Sequence, residues 1–332
     1  MKVVVLTTSY PRDAADVAGR FIADSVEGVR ALGVDVEVVS PASFSDFGIA
    51  YGGGIAQNLR GKPWKLALVP AFMAAYMRAA RNAARDADLV HAHWIPSAIA
   101  ARATGKPYVL QVWGTDVELA RRAPALLRPL VRRGRLVIAA STYLADEARS
   151  LGARDVRVVP SGVEIPESVA EPDDPPHVLF AGRLSEEKGI LEFLEATEGL
   201  PRVIVGDGPL RTRVPEAIGF VPPLELGGYF ERASVVVVPS RREGYGMIAR
   251  EAMAYGRPVV AARVGGLGDL GRGAVLVRPC DVANLRAVLV ELLADVDGRR
   301  SLGIQARAEA HNWATQAAAA RLLSVYREAL QV

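Results

Sequence analysis

Glu243 and Glu251, with seven residues between them, frame the stretch Gly244-Tyr245-Gly246-Met247 and are followed by Gly256-Arg257-Pro258-Val259-Val260. The first acid falls before a helix start, the second about two turns into the helix, and a buried strand comes next. A glycine-lined helix N-terminus presents unpaired N–H groups and the positive end of the dipole, which favour a phosphate or another anion. Carboxylates beside such a site suit hydroxyl-rich groups, because they accept hydrogen bonds from ribose or sugar OH. These residue types in this pattern read as a pocket for a nucleotide sugar.

Other segments add to it. At Ala181-Gly182-Arg183-Leu184-Ser185-Glu186-Glu187-Lys188-Gly189 a strand ends in a glycine turn with two cations before a helix. A fork-shaped Arg183 and a point-charge Lys188 together can neutralise a diphosphate; the alternative is two solvated cations near Glu186 and Glu187. Gly206, in Val205-Gly206-Asp207-Gly208-Pro209, follows another strand and marks a tight turn. Gly219-Phe220-Val221-Pro222 reads as a strand end whose backbone, at Val221, could pair with a base edge. Near the N-terminus, Gly19 at a helix start either lets the backbone approach a phosphate or serves as a glycine near a cap. No G-x-G-x-x-G follows the first strand, which argues against a dinucleotide-dependent oxidoreductase.

His91-Ala92-His93-Trp94 and Trp113-Gly114-Thr115-Asp116 end two further strands. His91 and His93 are read as pointing to opposite faces, so that they would not chelate one metal, and no metal site is expected. His93 is the better pocket candidate because it lies nearer the strand end. Asp116 is a turn or cap residue or faces the cleft. His177 and His311, without motifs around them, are expected to be structural or exposed. Cys280, the single cysteine, excludes an internal disulfide; it is expected to be a partly buried, inert thiol in a reducing cytosol.

The elements that must position these groups follow from the apolar pattern. A chain of 332 residues suits two domains of about 150 residues each. Strands are predicted at Val3–Leu6, Val34–Val39, Leu89–Ala92, Tyr108–Val112, Leu136–Ala139 and Val156–Val159, with helices near Val17–Leu32, Leu66–Arg85 and Tyr143–Leu151. The Pro- and acid-rich stretch 160–176 interrupts the alternation. Strands then resume at His177–Ala181, Val203–Val205, Val235–Val238, Pro258–Ala262 and Ala274–Val277. Helices fall near Gly189–Glu198, Pro223–Arg232, Gly246–Tyr255 and Val282–Leu293, with a last one over Trp313–Leu330. Repeated βα with β-branched strands predicts an α/β fold of two doubly wound, Rossmann-like domains facing each other across a cleft. The domains are read as 1–163 and 164–312, the C-terminal helix 313–332 crossing back to the first. No run of apolar residues is long enough to span a membrane, and Met1–Thr7 reads as a strand rather than a signal peptide. A net charge of +3 is too small to argue for nucleic acid.

Taken in order, these segments resemble the retaining glycosyltransferases of the GT-B fold, in particular the large GT4 family. Val158-Val159-Pro160-Ser161-Gly162-Val163 is similar to the family's hinge entry, with Ser161 where Asn is usual. Gly182-Arg183 with Lys188-Gly189 resembles its phosphate-binding segment. Glu243 to Glu251 resembles its E-x7-E signature, and Gly256-x-Pro258-Val-Val the run that follows. The resemblance covers most of the chain. It implies that Arg183 and Lys188 hold the diphosphate and that Glu251 accepts from the ribose. Glu243 and the amides of Gly244, Tyr245, Gly246 and Met247 would grip the sugar and phosphates, and Val221 would meet the base. It implies no bound metal and no cofactor beyond the nucleotide sugar as substrate. The chain departs from many relatives in carrying Trp113 where they have His; Trp offers only an N–H donor and a stacking face.

The expected reaction is transfer of a sugar from a nucleoside diphosphate to an acceptor hydroxyl, with the anomeric configuration kept, in the cytoplasm. An inactive nucleotide-sugar-binding protein and another GT-B enzyme, such as a sugar-nucleotide epimerase or an inverting transferase, are the alternatives. The acceptor, a glycan, a lipid-linked sugar or a small molecule, belongs to the first lobe. There 64–81 and 121–135 are apolar with basic punctuation. They read either as core helices with solvated arginine faces or as a surface resting on anionic lipid at the inner face of the membrane.

Overall fold

The computed structural model describes residues 1–331 apart from 14, 15, 17, 52 and 53, with backbone alone at 56 and 224. The chain divides into two compact units, Met1–Pro160 with Ala318–Val332, and Ser161–Ala317.

The first unit contains strands β1 (Lys2–Leu6), β2 (Asp35–Val39), β3 (Leu89–His93), β4 (Tyr108–Val112), β5 (Leu136–Ala139) and β6 (Val156–Val158). They form a parallel sheet in the order β2-β1-β3-β4-β5-β6. Its helices are α1 (Arg20–Ala31), α2 (Ile55–Gly61), α3 (Val69–Ala83), α4 (Ser97–Ala103), α5 (Thr115–Arg122), α6 (Pro124–Arg133) and α7 (Thr142–Ser150). Val17, where the sequence predicts the first helix to start, lies outside the described residues; the helix is observed from Arg20. A core of Val3, Val5, Ile22, Val26, Val109 and Ile138 lies on one face of the sheet.

The second unit contains β7 (Val178–Ala181), β8 (Arg202–Val205), β9 (Val235–Val238), β10 (Val259–Ala262) and β11 (Ala274–Val277). Its helices are α8 (Ile190–Ala196), α9 (Pro223–Arg232), α10 (Met247–Ala254), α11 (Val282–Ala294) and α12 (Val296–Ala310). The sheet is parallel, in the order β11-β10-β9-β7-β8. Alternate residues of β9 enter opposite cores: Val236 and Val238 join Ala249 and Met253 of α10, while Val235 and Val237 join Phe193 and Leu289. Both faces are covered, which is why Val235-Val236-Val237-Val238 reads as an unbroken apolar run. From β8 the chain crosses back past β7 to β9, so the strand order reverses between β7 and β9. Ligands bind beyond the carboxyl ends of strands at such a switch point.

The last helix, α13 (Thr315–Gln331), belongs to the first unit from Ala318 onward and places Leu322, Val325, Tyr326 and Ala329 in that unit's core. Trp313 packs with the second unit.

Candidate functional site

The carboxyl ends of β7 and β9 carry most of the charged residues singled out by sequence. Gly182 and Arg183 follow β7 directly. A turn of 3-10 helix, Glu186–Lys188, then leads through Gly189 into α8. Gly189 is left-handed at φ 73°, and a β-carbon there would lie 2.0 Å from the Pro239 carbonyl oxygen just after β9. Only glycine lets these two segments meet so closely. The approach brings Lys188 Nζ to 2.6 Å from Glu243 Oε2, and Ser240 Oγ lies 3.4 Å from the same oxygen. The lysine side chain is 34% exposed and the glutamate 15%. Arg183 is exposed and, among the described residues, has no ion-pair partner. The site therefore combines a half-shielded ammonium, a carboxylate and an uncommitted guanidinium.

The loop bearing Glu243 is held from several sides. The Arg241 amide donates to the Glu187 carbonyl at 2.8 Å, and its Nε donates to Glu192 Oε1 at 2.6 Å. Glu192 is buried on α8, so this pair fastens the Glu243 loop to the Lys188 segment. The Glu243 carbonyl accepts from Gly266 N at 3.1 Å, and Tyr245 donates its hydroxyl to the Ser161 carbonyl at 2.8 Å. Arg250, fully buried on α10, donates to the carbonyls of Tyr245 and Gly266. Its guanidinium lies over the Tyr245 ring at 3.8 Å and the Trp313 ring at 4.8 Å. Burial draws the Arg250 guanidinium below its usual range. Gly246, left-handed, caps α10 without a side-chain hydrogen bond, and Met247 opens the helix, which aims the first turn of amides outward from this loop. Glu251 sits partly buried in the second turn.

Two of the neighbouring glycines serve the backbone. Gly182 N donates to Val205 O at 2.9 Å and Gly206 N to Gly219 O at 2.8 Å. Gly206 and Gly219 form only an isolated antiparallel bridge, so Val221 does not end a strand as expected; it lies in the loop entering α9. The reason is Pro222 and Pro223, which cap and start that helix three and four residues after the bridge.

The first unit's candidates differ in kind. His91 and His93 do not point to opposite faces: their ring centroids are 4.2 Å apart. Residues two apart on a strand share a face, and only neighbours alternate. Among the described residues no group of three His, Cys, Asp or Glu is arranged to hold a metal. His91 Nδ1 and the Tyr326 hydroxyl are 2.7 Å apart, and His93 Nδ1 accepts from Trp113 Nε1 at 3.3 Å. Burial holds His91 down at about 3, and burial with the neighbouring His91 holds His93 well below its usual range. The Trp113 ring also stacks on His93 and meets Phe21 edge-on at a centroid distance of 4.5 Å. Both oxygens of buried Asp116 are used: Oδ1 accepts from the amides of Trp113 and Gly114, Oδ2 from that of Ile95, each at 3.0 Å. Burial raises its carboxyl above the usual range, and the amides pull it down. Gly19, left-handed at φ 71°, caps α1, and a β-carbon there would lie 2.2 Å from the Ser9 carbonyl oxygen. Its tight approach is thus to its own loop. Cys280 is exposed rather than partly buried, because it sits in the turn after β11 with a positive φ of 60°. His177 is buried, with the Ser234 hydroxyl accepting from its amide.

Sequence reasoning missed Arg241, Glu192 and Arg250. Arg250 left a trace, a cation among Ile248, Ala249, Ala252 and Met253 of α10; the Arg241–Glu192 pair spans 49 residues and left none.

Residues 175–295 match the family model described as glycosyl transferases group 1, and residues 18–166 that of glycosyltransferase family 4. The D-inositol 3-phosphate glycosyltransferase of Acidothermus cellulolyticus is 30% identical over 385 aligned residues, covering 93% of this chain and 85% of its own. TuaC of Bacillus subtilis (strain 168), a glycosyltransferase named for teichuronic acid biosynthesis, is 28% identical over 322 residues, 81% of this chain and 83% of its own. Among solved structures, that of Anabaena HepE in complex with UDP-glucose superposes with a TM-score of 0.74 at 19% identity, covering 99% of this chain and all of its own. Two parallel α/β units with these relatives define the class: a glycosyltransferase of the GT-B fold. More narrowly, the chain belongs to family 4 of the glycosyltransferases, within glycosyl transferases group 1.

Proposed function

We propose that the protein transfers a sugar from a nucleoside diphosphate to an acceptor hydroxyl with retention of anomeric configuration, and that the second unit binds the donor. The observation that carries this reading is the Lys188–Glu243 pair at the strand-order reversal, with Arg183, which has no ion-pair partner among the described residues, on the same strand end. In this reading the leaving diphosphate gathers charge as the glycosidic bond breaks. Arg183, Lys188 and the first turn of α10 stabilise that charge, which is electrostatic catalysis. Lys188 has three N–H donors and spends one on Glu243, so two remain for phosphate oxygens. Glu243 then meets the sugar, and Glu251 the ribose hydroxyls. The reading gives the diphosphate its countercharge from side chains and helix, so EDTA should leave turnover unchanged.

HepE was solved with UDP-glucose, which makes UDP-sugars the first donors to try. The relative that acts on D-inositol 3-phosphate favours a polyol or sugar acceptor, free or lipid-linked. The test is a thermal-shift panel of nucleoside diphosphates and their sugars, followed by product NMR. A shift with one nucleotide and an α-linked product from an α-linked donor supports the reading. No shift with any of them overturns it.

A further inference from the structure

The first unit carries an apolar, cationic surface that the donor site does not use. The chain from Phe47 to Arg85 contains six cations and no Asp or Glu. Much of its apolar content is core: Phe72, Tyr76 and Ala80 of α3 are buried, as are Leu127, Leu130 and Val131 of α6. The inward faces of both segments are therefore core, which leaves the lipid reading to their outer faces. What remains outside is more specific. A 3-10 helix, Pro63–Leu68, leaves Trp64 65% and Leu66 58% exposed, and Phe47 on the neighbouring loop is 42% exposed. Lys65 ties the two segments by donating to the Gly48 carbonyl. Both rest on a separate small core of Ile49, Ala50 and Phe72 with Ile55, Leu59 and Leu68. The projecting Trp64 and Leu66 are therefore held on a supported platform.

Arg60 and Lys62 flank these side chains and are exposed. The outer stripe of α3 continues with Arg78 and Arg81. The nearest acid in sequence, Asp46, is turned to the amides of Gly48 and Ala50. A bulky indole and aliphatic side chains ringed by cations match the water–lipid boundary, where Trp places its ring at headgroup depth and Lys and Arg meet phosphate. An exposed apolar cluster rimmed by one sign of charge marks an interaction surface.

We propose that this face, Phe47, Trp64 and Leu66 with Arg60, Lys62 and Lys65, docks on an anionic lipid surface. The lipid supplies what the face lacks: negative charge for the cations and hydrocarbon for the three projecting side chains. The docking is independent of the donor reading; only its consequence, that the acceptor is reached from a membrane, rests on it.

The experiment is flotation of the full chain with vesicles of phosphatidylcholine alone or with phosphatidylglycerol, at low and high salt. The expected result is flotation with phosphatidylglycerol vesicles, lost on raising salt and absent with phosphatidylcholine. Trp64→Ser with Leu66→Ser should weaken partition by ~10-fold or more, as loss of two buried apolar groups does. Arg60→Glu with Lys62→Glu should weaken it by ~10-fold as well. Both pairs are exposed, and an unchanged melting temperature shows that they fold. No flotation at low salt, or flotation of both variants equal to that of the unaltered chain, overturns the proposal; so does flotation insensitive to salt. Capture of an acidic protein without vesicle binding also overturns it. A nucleotide thermal shift on the same samples reports the donor reading separately.

Discussion

The two units place ionisable side chains at the ends of their parallel strands in opposite ways. In the second, Lys188 and Glu243 are partly open to solvent, and Arg183 has no ion-pair partner among the described residues. In the first, His91, His93 and Asp116 are buried, and Asp116 has both oxygens occupied by amides. The contrast teaches that residue type at a strand end is not enough for a binding role. Spare hydrogen-bonding capacity and access to water decide it. Groups with both can change partners when a charged ligand arrives, and groups with neither hold the fold.

The sharpest way to break this comparison is acid. His91 is held at about 3 against an ordinary value of 6.5, and His93 is lowered too. The unfolded chain therefore binds more protons than the folded one below about pH 6.5. Stability should be fully present above that pH and fall as pH drops toward 3. The slope is about 1.4 kcal/mol per pH unit for His91, and His93 adds in the same direction. Thermal melts across this window check it, and replacing both with Gln should flatten the slope. A flat profile in the unaltered chain would show the first unit's histidines to be accessible after all.

Next in size is Arg183→Ala. Removing one preorganised donor to a developing oxyanion should cost turnover by ~100-fold or more at saturating donor, with melting unchanged. Near-normal turnover would remove the guanidinium from the reaction. Arg241→Ala should act on stability, because Glu192 loses its cation: the urea midpoint should fall. A rise in donor KM should accompany it, since the Glu243 loop loses its tie to α8. The smallest effect belongs to Trp113→Phe. It keeps a stacking ring on His93 but removes the indole N–H, at about 1 kcal/mol, with no change in nucleotide affinity.

Strand positions were legible because these strands are β-branched and buried on both faces; β4, β5, β9 and β11 fall at the predicted residues. Helices were legible only where one face is apolar. The sequence reading missed α4, whose residues include Ala98, Ala100 and Ala101, all buried, so no face stands out. It missed α12 because its inward stripe is Gly303, Ala306 and Ala310, small residues with little hydrophobic signal. Gly303 there packs so close that a β-carbon would lie 2.4 Å from the Gly256 carbonyl oxygen. It missed α5, short and charged at both ends, whereas α6 lies within 121–135, which the sequence offered as a core helix with a solvated arginine face. For the candidate site, Glu243 and Lys188 were legible as types at spacings, and their contact needed the tertiary approach at Gly189. The His91–His93 error was one of strand arithmetic rather than missing information.

The discontinuity of the first unit has a consequence for how the chain is made. A ribosome releases all of Ser161–Ala317 before it supplies the stretch from Ala318, which carries the Tyr326 hydroxyl to His91 and Leu322 to the core. Until then the earlier-born half stands unsealed, its imidazole lacking a mate, while the later-born half already has every strand of its own sheet. Synthesis order and completion order are thus inverted: the part begun first is the part finished last.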